Sequence, residues 1–334
     1  KNIDGLDMLL YAIYWHHAKP LRDNKEIEKF TKAKNLLSIS ELSWIKQEDT
    51  FNRVSSFVND VMSLTKEKIS IKPTLFTNNH QVVPDFKSYN SQLTFENLNS
   101  AVTSESYNAM VRSCVVGADR IISTMTSAEL ENWLDVYQTT KELPAIPEHP
   151  AQKDIPVLRT QIDSLISKFN LDLSNALRNK EQDDVAEKLI KHNINVLYGP
   201  AGCGKTKIIL QTLLKSSPKR TFIFVPRVAI GHGLFYELIN EYKVTRGVEF
   251  YSGDLKLCFN ETTKEIDVTP ENSQLQGSIV ITTIDQLCGI TLSHKKIDLL
   301  TEVMGSHVIF DEFHELLDIP AIVLMFLEFM KLRS

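Results

Sequence analysis

Residues 199–206 read Gly199-Pro200-Ala201-Gly202-Cys203-Gly204-Lys205-Thr206, which satisfies GxxxxGK[ST] in full. The glycines Gly199, Gly202 and Gly204 let backbone N–H groups turn toward phosphates, and Cys203 contributes its N–H to the same cradle. Lys205 supplies charge to the β and γ phosphates, and the Thr206 hydroxyl is placed to ligate Mg²⁺. The chemistry is therefore the binding of a nucleoside triphosphate with Mg²⁺. A second constellation lies downstream at Asp311-Glu312-Phe313-His314. It follows an apolar run, so both carboxylates fall at the C-terminal end of a strand, where α/β sheets place their ligands. Asp311 would hold Mg²⁺ through its shell, and Glu312 would orient or deprotonate an attacking water. Alone, such a string also fits the solvated end of a strand; paired with the phosphate-binding loop it is specific.

These residues need a scaffold that brings them together. Apolar runs at Asn195–Tyr198, Arg220–Val225, Ser278–Thr282 and His307–Phe310 alternate with helical segments, which predicts an α/β fold with a parallel sheet flanked by helices. The loop Gly199–Thr206 then lies directly between the strand Asn195–Tyr198 and the helical run Lys207–Leu214, as a phosphate-binding loop requires. A helical segment from Val157 to about Lys191 precedes the first strand. Residues 1–138 read as mostly helical: Ile3, Leu6, Leu9, Leu10, Ile13 and Tyr14 recur at helical spacing, as do Met110, Val111, Cys114, Val115, Ala118 and Ile122. The polar stretch 70–104 predicts long loops. Pro144, Pro147, Pro150 and Pro156 mark 139–158 as a linker, giving a helical domain over 1–138 and an α/β domain over 159–334.

Composition narrows the class. The 334 residues allow two domains, and a hydrophobic share of 43% with 24% charged residues is that of a folded, water-soluble chain. The apolar stretch Ile319–Met330 is too short to cross a membrane. Net charge is -5, so nucleic acid must meet a local groove rather than a basic face. Cys114, Cys203, Cys258 and Cys288 form no CxxC pair, which predicts neither a zinc ribbon nor a disulfide framework and fits a reducing cytoplasm.

In the helical region, Tyr14-Trp15-His16-His17-Ala18 places two imidazoles side by side, and adjacent histidines can reach one metal centre. Asp119 has Val115 at i−4 and Ile122 at i+3, so a helix turned inward would bury a carboxylate that demands a metal or an Arg partner. A lone His-His is more often a structural pair, and a lone helical Asp more often finds an Arg.

The phosphate-binding loop with the DExH string resembles superfamily 2 helicases and translocases. Val225-Pro226-Arg227-Val228-Ala229 resembles their motif Ia, which implies that Pro226 and Arg227 touch the nucleic-acid backbone. Thr282-Thr283-Ile284-Asp285-Gln286-Leu287 resembles the TxDQ segment of type I CRISPR helicases, implying DNA contacts at Thr283, Asp285 and Gln286. Gln182 resembles the glutamine that reads adenine, and by the same resemblance His314 couples the motor domains. With His16, His17 and Asp119, the chain is similar to the HD-type helicase-nucleases of type I CRISPR interference, closest to subtype I-F. That resemblance implies ATP-driven translocation on single-stranded target DNA, metal-dependent cleavage, and divalent transition metal ions of unspecified identity on His16, His17 and Asp119. It also implies a crRNA-guided surveillance complex, CRISPR adaptation proteins and phage-encoded inhibitor proteins as partners, and no membrane. Against the family's layout the chain would be a fragment: the end of the nuclease domain, the linker and the first RecA-like domain, with the second absent. Two other readings fit the residues: a different superfamily 2 motor acting on RNA or DNA with a helical accessory domain, or a catalytically silent docking fragment.

Overall fold

A computed structural model describes residues 98–140, 150–200, 202–253, 255–268, 275–292, 296–316 and 320–333. The histidines His16 and His17, the helix predicted from Ile3 and the loops predicted over 70–97 lie outside these residues. Two compact units divide the chain: residues 1–146 with 292–298, and residues 147–291 with 299–334. The boundary falls inside the proline-rich stretch.

In the first unit, α1 (Leu98–Thr124) and α2 (Ser127–Thr140) are helical, as the apolar spacing predicts. Helix α1 includes 98–104, which the sequence placed in a loop. Thr126 caps α2 reciprocally: the Glu129 N–H donates to Thr126 Oγ1 at 3.3 Å, and the Thr126 N–H donates to Glu129 Oε2 at 2.8 Å. Arg120 pairs with Asp298.

The second unit opens with α3 (Pro150–Leu171), so the proline-rich stretch is helical rather than irregular from Pro150 onward, while Pro144 and Pro147 lie outside the described residues. Pro150 occupies the first helical position, where its missing N–H costs nothing. Pro156 costs one intrahelical bond, offset by the burial of Ile155, Leu158, Ile162 and Leu165. A 3₁₀ turn, Leu173–Asn175, leads to α4 (Ala176–Leu189), and α5 (Lys205–Lys215) follows the phosphate-binding loop. Arg159 of α3 donates to Leu213 O at 2.8 Å and Ser216 O at 3.1 Å, capping α5 and fixing it against α3.

Beyond α5 come β1 (Thr221–Val225), α6 (Val228–Tyr236) with a π turn at Glu237–Glu241, β2 (Val248–Tyr251), β3 (Lys256–Phe259), β4 (Ile266–Val268) and β5 (Ile279–Thr283). The series ends with α7 (Ile284–Leu292), α8 (Leu299–Gly305), β6 (His307–Phe310), a 3₁₀ turn at Phe313–Leu316, and α9 (Pro320–Arg333). The strands form one six-stranded sheet in the order β4-β3-β2-β5-β1-β6. Strands β2, β5, β1 and β6 are parallel, whereas β3 and β4 are antiparallel additions at one edge. The sheet is thus mostly rather than wholly parallel. No helix of the described residues is long and apolar enough to cross a membrane.

The core joins α3, α5 and α6 to the sheet through Ile162, Leu210, Phe235, Ile223, Phe250 and Ile281. Gly231 lets α6 approach: a Cβ there would sit 2.6 Å from a Phe250 ring carbon and 2.9 Å from Val225 Cγ2. The start of β5 is held by a polar cluster. Buried Glu249 accepts N–H bonds from Leu275 at 3.1 Å, Gln276 at 2.9 Å and Gly277 at 2.8 Å, while Arg220 donates to Gly277 O at 3.0 Å.

The predicted strand Asn195–Tyr198 is not a strand in the structure. Val196 is 89% exposed and Tyr198 96% exposed. Asn195 donates through its side chain to Leu189 O and His192 O, both at 2.8 Å, which ties it to the end of α4. Apolar residues make a strand only where a neighbour completes the ladder, and none of the described residues pairs with this run.

Candidate functional site

Parallel register brings the site together. Thr221 of β1 sits opposite Ile279 of β5 and His307 of β6, so Val225, Thr283 and Phe310 all end at the same side of the sheet. The residues that follow them are Pro226-Arg227, Ile284-Asp285 and Asp311-Glu312. The Asp311 N–H donates to Phe224 O at 2.9 Å and carries the ladder one residue past β6.

The phosphate-binding loop meets this end of the sheet through Lys205 and Thr206, which share a cleft with Asp311. Gly202 and Gly204 have φ of 75° and 87°, the left-handed region glycine enters at little cost. Gly204 caps α5, and the Ile208 N–H donates to its carbonyl at 3.1 Å. A Cβ on Gly204 would also overlap Gln182 Nε2. Gln182 is buried and donates to Cys203 O at 2.8 Å, so the structure places it against the loop. Arg178 donates to Gly202 O.

Lys205, Thr206 and Asp311 line one cleft, floored by apolar side chains including Leu210, Ile223 and Ile279. Lys205 Nζ lies 3.8 Å from Glu312 Oε1. Burial pushes the Asp311 carboxyl above its ordinary range, and the negative Glu312 adds to this, while the Glu312 N–H and Lys205 pull it back. A carboxylate so placed gains from a cation, and with the Thr206 hydroxyl it makes the hard oxygen donor set that Mg²⁺ takes. The residues present fit that ion.

Glu312 has φ of 49°, unusual for a residue with a side chain, and its second oxygen lies 3.3 Å from His314 Nδ1. Residues held in such regions cluster at functional sites. Arg227, at the head of α6, meets Glu315 Oε2 through Nε at 2.8 Å. Thr283 and Gln286 are buried, and of the TxDQ run only Asp285 among the three proposed DNA contacts is exposed. Gln286 donates to Asp285 Oδ2 at 2.9 Å.

Residues 179–328 match the family model for the DEAD/DEAH box helicases. This stretch is a DEAD/DEAH box helicase domain. Enzymes of that family unwind nucleic acid with ATP and Mg²⁺. No curated protein and no solved structure matches the chain. The helicase domain takes in Gln182, the phosphate-binding loop, Arg227, the Thr282–Gln286 run and the DExH string, and begins at α4.

Arg178, Lys207 and Glu315, at or beside the helicase domain, escaped the sequence reading. Arg178 and Gln182 occur one turn apart on α4, and that spacing was a usable signal. Lys207 is buried, donating to Asn179 Oδ1 at 2.6 Å with its ammonium 5.4 Å from the centre of the Phe169 ring. Desolvation lowers its pKa, the nearby Arg178 adds to this, and Asp183 opposes it. Glu315 gave no signal, because its partner Arg227 is remote in sequence.

Outside the helicase domain, Asp119 lies on α1 at half burial with Ile122 45% exposed. The face is partly solvated, so burial does not by itself demand a cation there. Among the described residues no group of three or more His, Cys, Asp or Glu side chains is placed to hold a metal ion.

Proposed function

We propose that the chain carries a motor domain that binds and hydrolyses ATP to move along or unwind nucleic acid. The observation that carries this is the convergence of Lys205, Thr206 and Asp311 at one cleft, with Glu312 3.8 Å from Lys205 and Arg227 two residues past the end of the neighbouring strand β1. The loop N–H groups and Lys205 bind and orient the triphosphate. Thr206 and Asp311 would hold Mg²⁺, which supplies charge neutralisation at the β and γ phosphates. Glu312 accepts the proton of the attacking water. Gln182 at the loop reads the base, and Arg227 contacts a backbone phosphate. In the intact protein, ATP turnover should rise several-fold when single-stranded DNA or RNA is added, and comparison of the two strands identifies the substrate. Turnover indifferent to both would leave a nucleotide-binding protein that is not a nucleic-acid motor.

A narrower reading makes this the motor of a type I CRISPR helicase-nuclease. It is supported by the Thr282–Gln286 run and by the sequence of the DExH turn, with His16, His17 and Asp119 as ligands of transition metal ions, single-stranded target DNA as substrate and the crRNA-guided complex as partner. Asp119→Ala and His17→Ala should then each eliminate DNA cleavage and reduce bound metal while leaving ATP turnover unchanged. Metal content and cleavage equal to wild type in both variants would return the helical region to the role of an accessory domain.

A further inference from the structure

Two carboxylates of the turn that follows β6 each face a cation of the proposed site. Glu312 Oε1 lies 3.8 Å from Lys205 Nζ, and Glu315 Oε2 lies 2.8 Å from Arg227 Nε. The Glu315 N–H donates to Glu312 O at 3.0 Å, so the two acids close a single tight turn. His314, between them, reaches back to the second oxygen of Glu312. Arg227 is 71% exposed through its side chain, whereas Glu315 is more than two-thirds covered. The guanidinium therefore faces solvent, and the carboxylate that meets it is held by the turn.

We propose that Glu315 is a positioning residue through which a nucleic-acid phosphate at Arg227 alters the hold of Glu312 on Lys205. This rests on the reading of the chain as a nucleic-acid motor. A phosphodiester oxygen pair meets a guanidinium in two parallel bonds, and it competes directly with the contact Glu315 makes through Nε. A phosphate that takes Arg227 displaces Glu315. Because Glu312 and Glu315 belong to one hydrogen-bonded turn, and Glu312 already sits at a backbone angle few residues tolerate, displacement at one end shifts the other. Lys205 is then released to the triphosphate. Nucleic acid and nucleotide thus bind cooperatively, and by reciprocity each tightens the other by the same factor. Both ion pairs are partly exposed, so the coupling falls at the small end of the usual range.

The test measures the Kd of a fluorescent ATP analogue with Mg²⁺ on the intact protein, with and without saturating oligodeoxythymidylate, in the wild type and in Glu315→Gln. In the wild type the strand should tighten nucleotide binding by about fivefold. In Glu315→Gln the nucleotide should already bind tightly without the strand, the added effect of the strand should shrink to about onefold, and the strand itself should bind more tightly because its competitor is gone. A residue that only supports the fold would weaken both affinities and leave their ratio alone. Thermal unfolding shows whether the variant is folded. Should it not be, Glu315→Asp keeps the charge but falls short of Arg227, and it should couple less than half as strongly as wild type. A wild-type ratio near one, or an equal ratio in a folded variant, overturns the proposal. A wild type that binds neither analogue nor strand overturns the motor reading itself, which separates the two failures.

Discussion

Replacing Lys205 with alanine is expected to lower ATP turnover by on the order of 10²–10³-fold, the loss seen when one preorganised charge is removed from a developing transition state. Lys205 is the cation that shares the cleft with Thr206 and Asp311, and the backbone cradle around it stays intact when its side chain is cut back. Nucleotide affinity should fall with turnover, because the same ammonium meets the phosphates in the ground state. The fold should not notice. The ammonium's pairing with Glu312 is partly exposed, and such pairs contribute about 0–1 kcal/mol. Turnover, affinity and unfolding temperature on one preparation decide the matter: wild-type turnover would refute the phosphate-clamp assignment, and a large drop in unfolding temperature would recast Lys205 as structural.

Glu312→Gln should separate hydrolysis from binding. The amide keeps the shape of the side chain and loses its basicity, and removal of a positioned general base typically costs about 10²–10⁴-fold in rate. Binding should be retained and slightly tightened, because the neutral amide no longer competes with phosphate for Lys205. The two variants are therefore expected to differ in kind: one loses the nucleotide, the other keeps it without turning it over. Equilibrium binding beside single-turnover hydrolysis reads both. Loss of binding in Glu312→Gln would mean that the carboxylate shapes the turn at its φ of 49° rather than acting on water.

Strands β1 and β5 were legible because their residues are mostly apolar and β-branched: Thr221–Val225 and Ile279–Thr283 are buried along their whole length, and both match the sequence reading to within a residue. Strands β2 and β3 escaped because each carries a buried charge, Glu249 and Lys256. A charge inside a strand makes sense only with its partners in view, and those of Glu249 are the N–H groups of 275–277, remote in sequence. Asn195–Tyr198 failed for the converse reason: its composition favours a strand, but a strand is made by its neighbours. Pro150 and Pro156 misled because position within a helix, not number, sets their cost; Pro150 at the first turn is harmless. At the site, the spacing within 199–206 and 311–314 exposed the nucleotide chemistry, since each motif is local. The Arg227–Glu315 pair was invisible, being a product of strand register.

Strand β6 has β1 on one side, and none of the described residues pairs with its other side. The N–H groups of His307 and Asp311 point inward to Arg220 O and Phe224 O, so in a parallel ladder those of Val308 and Phe310 point outward. In hydrogen exchange the consequence is a stagger within one strand: Val308 and Phe310 should take up deuterium far ahead of the amides of β5, which is flanked on both sides. The carboxylates of the DExH turn thus hang from the least protected of the four parallel strands. A second polypeptide segment laid along that open side would slow the exchange of Val308 and Phe310 and stiffen the turn without touching Asp311 or Glu312.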